Sequence, residues 1–210
     1  ISTSKVRNEM IISDVKKSIA HKQTPVILTR FKEHAKLLYE ALKNEADHVF
    51  LLYGDNSDKD NADIRVRLKQ IPKMESLILV ATGQKIGEGF DFPRLDVLML
   101  AAPVSFEGRL EQYVGRLNRD YEGKEAVYVY DYIDPHVKFF NKMYAKRLRT
   151  YKRIGFSRWV GNEQSKQTIH AIYDSGNYTE KFEQDIVVAE RMIVISSSDI
   201  RQNKIDRLLS

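Results

Sequence analysis

The chain has 210 residues, of which 42% are hydrophobic and 30% are charged, and it carries a formal net charge of +5 at pH 7. This length can bury a core without a covalent or metal staple, and the absence of cysteine excludes disulfides, thiolate metal sites and a cysteine nucleophile. No apolar run approaches the roughly 20 residues of a membrane span, and no signal peptide is visible, so we expect a cytoplasmic protein with no membrane partner. The first residue is Ile1 rather than methionine, which suggests a fragment of a longer chain.

Segments with strand and helix patterns alternate through the first two thirds of the chain. Strands are predicted at residues 26–29, 48–53, 77–81, 97–101 and 126–132, and helices at residues 14–20, 33–42, 62–71 and 110–119. This alternation predicts an α/β fold with a mostly parallel sheet flanked by helices on both faces. We therefore predict a linker and helix over residues 1–24, followed by a main domain over residues 25–134.

A long helix is predicted after the main domain, and residues 135–165 form this helix and a linker. Its apolar stripe consists of Val137, Phe140, Tyr144, Leu148 and Tyr151. Its opposite face carries a basic stripe, defined here as Lys138, Lys142, Lys146, Arg149 and Arg153. A basic face without nearby acidic residues is typical of nucleic-acid contacts, although a solvated surface helix has the same pattern.

Two arginines three residues apart form the sharpest chemical signal. They lie in the segment Gln112-Tyr113-Val114-Gly115-Arg116-Leu117-Asn118-Arg119. On one helix face, Arg116 and Arg119 would converge on a single anionic group, and Gln112 would lie one turn earlier. Taken alone, this spacing favours arginines that pair with surface acids, because such spacing is common.

A glycine-rich segment follows the predicted strand at residues 77–81. It reads Val80-Ala81-Thr82-Gly83-Gln84-Lys85-Ile86-Gly87-Glu88-Gly89-Phe90-Asp91. Its glycines would permit the close backbone approach that a phosphate or a sugar requires. The spacing Gly-x-x-x-x-Gly-Lys-Ser/Thr of a phosphate-binding P-loop is absent here and elsewhere in the chain.

In their order along the chain, these two segments resemble motifs V and VI of superfamily 2 helicases and translocases. Residues 25–41, with Arg30 after the first strand, resemble motif IV of the same family. The resemblance covers about 110 residues and implies the second RecA-like motor domain, followed here by the basic helix and a truncated C-terminal α/β piece.

In that family two RecA-like domains enclose ATP, and the resemblance implies roles for individual residues. Arg119 matches the arginine finger, Arg116 lies beside it, and Gln112 matches the position that couples the nucleotide to domain closure. Asp91 and Gly89 match positions near the ATP ribose.

The nucleic-acid contacts are expected at a separate set of residues. Thr82 matches a contact to the phosphate backbone. The other expected contacts are Arg30, Lys138, Lys142, Lys146 and Arg149. We expect DNA as the partner, with RNA left open.

The sequence also departs from parts of the family pattern. Glu111-Gln112-Tyr113 stands where DEAD-box RNA helicases begin motif VI with His-Arg, which favours the DEAH-like and restriction-type DNA translocases. Neither a Walker A lysine nor an Asp-Glu-x-Asp/His motif is present. We therefore expect an N-terminal RecA-like domain of the same parent chain to hold ATP and Mg²⁺. The chain alone should bind no cofactor tightly, hold no metal and lack ATPase activity.

Two other classes of function remain open at this point. One is a nucleic-acid-binding module without a motor role, and the other is part of a helicase-nuclease. Residues 166–210 are predicted to begin an accessory domain, and residues 182–198 resemble the start of a phospholipase D-like domain. The full motif of that chemistry, His-x-Lys-x-x-x-x-Asp, is absent, because His136-Val137-Lys138 is followed by Met143 where aspartate is needed. A small accessory subdomain is the alternative.

Overall fold

The computed structural model describes residues 4–83, 86, 90–103, 107–133, 137–159 and 190–196. The helices with described bounds are α1 (Lys5–Ala20), α2 (Lys32–Leu42), α3 (Asp58–Gln70), α4 (Glu107–Leu117) and α5 (Lys138–Arg153). The strands are β1 (Pro25–Thr29), β2 (His48–Leu52), β3 (Leu77–Thr82), β4 (Val97–Leu100), β5 (Val127–Ile133), β6 (Ser157–Trp159) and β7 (Glu190–Ser196).

All seven of these strands belong to one sheet with the order β2-β3-β1-β4-β5-β7-β6. The first five strands in this order are parallel, and β1 lies between β3 and β4. Strand β7 pairs antiparallel with β5, and β6 pairs antiparallel with β7. The predicted α/β fold with a mostly parallel, RecA-like sheet is confirmed.

The three central strands are apolar and buried along their whole length. Every residue of β1, β3 and β4 is buried, as expected for parallel strands that helices cover on both faces. Successive side chains point to opposite faces, so the sheet separates two apolar layers.

Helices α1 and α2 cover one face, where Ile11, Leu38 and Leu42 meet Ile27 and Val80. Helices α3, α4 and α5 cover the other face. There Leu68, Val114, Leu117 and Tyr151 belong to the same core cluster as Leu79.

Helix α1 begins at Lys5 rather than at residue 14, with Ser4 as its N-cap. Its early residues lack an apolar pattern because they bury polar groups against the sheet. The guanidinium of Arg7 is fully buried and donates to the backbone oxygen of Tyr132 over 3.0 Å. The hydroxyl of Tyr132 donates to Asp14 over 3.1 Å. These long-range bonds are invisible to a periodicity argument.

The C-terminal part of the chain is described only in part. The sequence also predicts a strand over residues 192–196, and it is present as β7, which extends the sheet beyond β5. Strand β6 lies inside the predicted linker, where it pairs with β7. The remainder of residues 166–210 lies outside the described residues. The proposed domain divisions and the phospholipase D-like start therefore stay predictions.

Candidate functional site

The predicted site residues lie at two opposite edges of the sheet. Thr29 and Thr82 end the neighbouring parallel strands β1 and β3 and are partners in register. They therefore mark the carboxyl edge, and Arg30 follows directly. Helix α4 connects β4 to the parallel strand β5, so the residues between α4 and β5 lie at the amino edge. Arg119 is among them.

At the amino edge, two arginines converge on one short piece of motif V. Arg119 forms an ion pair with Asp91, with 2.5 Å between Nη1 and Oδ1. The two side chains are 49% and 53% exposed. Arg116 donates a hydrogen bond to the backbone oxygen of Phe90. Because α4 ends at Leu117, Arg119 lies beyond the helix, and the argument that placed both arginines on one helix face is wrong. Their convergence comes instead from the shared partner segment.

A third contact joins motif VI to the start of the motif V loop. The hydroxyl of Tyr113 donates to the backbone oxygen of Gly83 over 2.9 Å. A Cβ atom at Gly83 would lie 2.5 Å from that hydroxyl oxygen. Position 83 therefore requires glycine because the tyrosine covers it. Sequence reasoning did not single out Tyr113, although an aromatic residue inside a charged motif was the available signal.

The other predicted nucleotide-side residues make fewer described contacts. Gln112 lies on α4 and is exposed. Gly89 lies outside the described residues. Gly115 is exposed, and a Cβ atom there would meet nothing within 4 Å.

Lys124 fixes the turn that carries Arg119, and sequence reasoning missed it. Its Nζ donates to the backbone oxygens of Pro93 over 2.8 Å, of Arg119 over 3.1 Å and of Leu117. Carbonyls at a helix C-terminus carry partial negative charge, which a lysine satisfies. Burial lowers the pKa of Lys124 to about 8. The amine thereby ties the end of α4 to the segment that precedes β4.

Near Lys124, burial also raises the pKa of Asp96 to about 6. The Asp96 carboxylate accepts a hydrogen bond from the Thr24 amide over 2.7 Å. Its charge in turn raises the pKa of Lys124 and opposes the effect of burial. Near the start of β4, the charge of each group thus partly offsets the effect of burial on the pKa of the other.

A cleft of about 530 Å³ opens beside Arg119. Its charged lining consists of Arg119, Asp120, Glu122, Lys124 and Glu125. Three carboxylates face two cations, so the charge of this cleft does not favour a phosphate. The candidate nucleotide contacts are therefore the arginines and Asp91 rather than this cleft.

At the carboxyl edge, the two predicted contacts differ in accessibility. Arg30 is exposed, and its guanidinium carbon lies 5.2 Å from the ring centroid of Phe31. Thr82 is only 7% exposed, so little of its side chain is available to a ligand. Beneath this edge, Thr29 Oγ1 accepts a hydrogen bond from the Phe31 amide over 3.3 Å and lies 3.0 Å from His34 Nδ1.

The basic stripe of α5 is exposed along its whole length, as predicted. The predicted apolar stripe faces the domain. Tyr151 is buried in the core cluster, and the half-buried Tyr144 and Leu148 pack against it. Met143, Arg147 and Thr150 are buried beside this stripe and were not predicted to be.

The burial of Arg147 has a polar cause. Asp131 of β5 binds Arg147 twice, with 2.6 Å from Nε to Oδ2 and 2.8 Å from Nη2 to Oδ1, and it accepts the Tyr151 hydroxyl over 3.0 Å. Beyond these bonds, Arg153 pairs with Glu111 in the first half of α4. Helix α5 follows β5 and precedes β6, which runs parallel to β5, so it runs from the carboxyl edge of the sheet back toward the amino edge.

Within the described ranges, no three His, Cys, Asp or Glu side chains are grouped as a metal site would require. None of the helices in these ranges is both long and apolar enough to cross a bilayer.

No protein-family model matches the chain. It is 31% identical over 155 residues to the "Putative helicase 161L" of Invertebrate iridescent virus 6. The matched segment covers 71% of this chain and 34% of that protein. It is 25% identical over 127 residues to the "Transcript termination protein A18" of Myxoma virus (strain Lausanne), covering 59% of this chain and 26% of that protein. Its fold superposes on the crystal structure of T4 UvsW with a TM-score of 0.54 at 18% identity, over 73% of this chain and 33% of that one.

The chain has the C-terminal RecA-like fold of superfamily 2 helicases, as predicted. It spans about a third or less of the length of these relatives. In this helicase-like domain, motifs V and VI are in direct contact through Tyr113, Arg116 and Arg119. Arg30 of motif IV lies at the other edge of the sheet, where α5 also begins.

Proposed function

We propose that the chain is the C-terminal motor half of an ATP-dependent superfamily 2 helicase or DNA translocase. In this role it supplies an arginine finger and part of the nucleic-acid track. The observation that carries the proposal is the convergence of Arg119 and Arg116 on the segment that holds Asp91.

The ion pair at the amino edge suits an exchange of partners. An exposed pair of this kind contributes only about 0–1 kcal/mol, so a phosphate can replace Asp91 as the partner of Arg119 at little cost. The guanidinium fork binds phosphate oxygens with two parallel hydrogen bonds. Asp91, once released, is free to accept a hydrogen bond from a ribose hydroxyl.

A guanidinium in this position stabilises negative charge as it develops on a phosphoryl group. ATP supplies the phosphoryl group whose transfer to water drives the motor. These guanidinium groups suit the phosphates of a nucleotide but not its Mg²⁺. The described residues contain no group of three or more ligating side chains that could hold a metal ion. The proposed N-terminal RecA-like domain of the same parent chain would hold the metal ion and the remaining phosphates.

The carboxyl edge supplies the proposed nucleic-acid track. Arg30 is exposed there, and α5, which begins after the carboxyl end of β5, presents the exposed basic stripe and contains no acidic residue to compensate its charge. Nucleotide and nucleic acid would thus occupy opposite ends of the same strands. This separation lets one rigid domain contact both ligands at once.

The nucleotide role is tested by Arg119→Ala in a protein that carries both motor halves. We expect ATP turnover to fall by roughly a thousandfold or more, because the finger acts on the transition state. ATP binding should change much less, because the other half makes most ground-state contacts. Turnover at saturating nucleic acid and the Kd of a fluorescent ATP analogue measure the two effects.

Lys16→Ala is the control for this variant. It removes another exposed cation–carboxylate pair, that of Lys16 with Glu45, 50% and 34% exposed, and Lys16 lies on α1, outside both proposed ligand sites. Its turnover should stay near that of the unmodified protein. If Arg119→Ala also retained near-normal turnover, the arginine would be structural and the motor proposal would lose its support.

A further inference from the structure

Phe139, near the start of α5, is an aromatic side chain that the domain does not bury. It is 66% exposed, although the neighbouring Phe140 is half-buried. The two rings meet edge to face, with 5.6 Å between centroids and 65° between planes. Phe140 thus supports the ring of Phe139 from one side and leaves a face open. A single exposed apolar residue is common, so its position decides whether this exposure has meaning.

Phe139 stands at the margin of the basic stripe. Residues seven apart on an α-helix lie nearly two full turns apart and point the same way, so Phe139 is aligned with Lys146. Lys138 precedes the phenylalanine directly, and Lys142 lies one turn along the stripe. These cations are all exposed, and α5 has no acidic residue. The ring is therefore surrounded by positive charge on an otherwise polar face.

Phe139 lies near the proposed nucleic-acid edge. Helix α5 begins shortly after β5 ends at Ile133, so its first turn, which carries Phe139, lies near the carboxyl end of that strand. Arg30 is exposed at the same edge. The charge and the location both favour a polyanion over an acidic or apolar protein surface, and the aromatic ring adds a feature that phosphates alone do not need.

We propose that Phe139 stacks on a base of single-stranded nucleic acid while Lys142 and Lys146 neutralise the neighbouring phosphates. This proposal rests on the proposed function and adds a base contact to its track. Proteins hold single strands by combining cationic grooves with aromatic platforms, because every base presents a flat face. In a duplex the bases already stack on one another, so the ring selects the unpaired strand.

The test compares three fluorescent probes by anisotropy, using the whole 210-residue chain. The probes are a thymidine oligonucleotide, an abasic strand of equal length and a duplex of that length. Phe139→Ala should weaken binding of the thymidine strand by roughly five- to hundredfold, the range found for loss of one stacked base. Binding of the abasic strand and the duplex should not change, nor should the salt dependence. Phe139→Leu keeps the apolar volume without the flat ring and should lose most of the same affinity.

Met74→Ala is the control for loss of an exposed apolar side chain, since Met74 is 89% exposed and lies outside α5. It should bind all three probes like the unmodified chain. Thermal melting of each variant checks that the fold is intact. If Phe139→Ala weakens the abasic and thymidine strands equally, the ring packs against protein and the stacking proposal is overturned.

Reversing the charge of three residues of the basic stripe tests the proposed track independently of the stacking proposal. Lys142→Glu, Lys146→Glu and Arg149→Glu together should weaken all three probes and reduce the salt slope, by about 0.7 for each lost phosphate contact on a single strand. If this triple variant loses binding while Phe139→Ala binds normally, the track stands and the stacking proposal fails. If the triple variant also binds normally, the proposed track fails and the stacking proposal fails with it.

Discussion

At the scale of single residues, His34 shows how a buried polar network supports the carboxyl edge. Its Nε2 lies 2.9 Å from Asn8 Oδ1, and its Nδ1 lies 3.0 Å from Thr29 Oγ1. Because an amide oxygen only accepts, Nε2 carries the proton and Nδ1 accepts from the threonine hydroxyl. The imidazole is therefore neutral. Burial, and then the nearby Arg7 charge, lower its pKa to about 4.

This lowered pKa predicts a loss of stability in acid. Between pH 6.5 and about 4 the unfolded chain binds a proton at His34 and the folded chain does not, so unfolding becomes more favourable as the pH falls. Relative to His34→Gln, the unmodified chain should lose on the order of 3 kcal/mol of unfolding free energy across this window, and no more below it. Denaturant unfolding of both chains at several pH values measures the difference.

The comparison with His34→Gln is needed because Asp96 changes the unfolding free energy with pH in the opposite direction. Burial raises its pKa to about 6, so its contribution to stability falls as the pH rises from 3.8 to about 6. Asp96 is present in both chains, and its effect cancels in the difference. A difference that does not vary with pH would show that His34 is not held neutral.

The compact motifs gave Arg116, Arg119 and Asp91 as candidates, and the structure brings these residues together. Their roles toward a nucleotide stay predictions. Lys124 was missed because its three backbone partners are fixed by the chain's path rather than by any local pattern. Arg147 was not singled out, because its partner Asp131 lies on a strand, 16 positions away.

At the scale of secondary structure, α4 contains two glycines that the domain itself does not need. At both Gly108 and Gly115, an added Cβ would meet nothing within 4 Å. Glycine inside a helix costs about 1 kcal/mol relative to alanine. The presence of glycine at an open helix position is explained if another molecule approaches the backbone there. Gly115 lies one residue before Arg116, on the proposed nucleotide side.

Gly115→Ala should therefore stabilise the chain and impair the motor. We expect its unfolding free energy to rise by up to about 1 kcal/mol. In a protein with both motor halves, turnover should fall, because the new methyl group meets the nucleotide or the other half. Gly108→Ala, in the first turn of α4, should leave turnover unchanged. Turnover by Gly115→Ala that equals that of the unmodified protein would show that nothing approaches Gly115.

The elements themselves were largely predictable, and their ends were not. Strands β1, β3 and β4 are found where apolar runs predicted them, because burial on both faces leaves a strong signal. The end of α4 at Leu117 depends on capping by Lys124, which a periodic pattern does not contain. Strand β6 has no apolar alternation and forms only because β7 offers an edge to pair with.

At the scale of the whole molecule, the division of labour between motor halves makes a direct prediction. The purified chain should hydrolyse no ATP above background, with or without nucleic acid. It contains neither a Walker A lysine motif nor an Asp-Glu-x-Asp/His motif, and an arginine finger without a phosphate cradle has nothing to act on. A coupled-enzyme ATPase assay checks this. Turnover by the pure chain that Arg119→Ala abolishes would contradict the half-motor assignment.

The fold class followed from the alternation of elements, but the strand order did not. Apolar runs identify buried strands without showing which ones are neighbours. The antiparallel extension through β7 and β6 depends on pairing between residues far apart in the chain. The assignment of candidate nucleotide contacts and nucleic-acid contacts to separate motifs nevertheless required only the order of those motifs along the chain.

The contacts between α4 and the motif V loop also constrain how the two proposed ligands influence each other. Tyr113 holds Gly83, directly after Thr82, and Arg116 holds Phe90, directly before Asp91. Both ends of the loop are thus fastened to one helix, which provides a path for coupling between them. Thermodynamic linkage makes such coupling reciprocal. If a bound strand strengthens the hold on nucleotide by some factor, bound nucleotide must strengthen the hold on the strand by the same factor, and loss of nucleotide must weaken that hold equally.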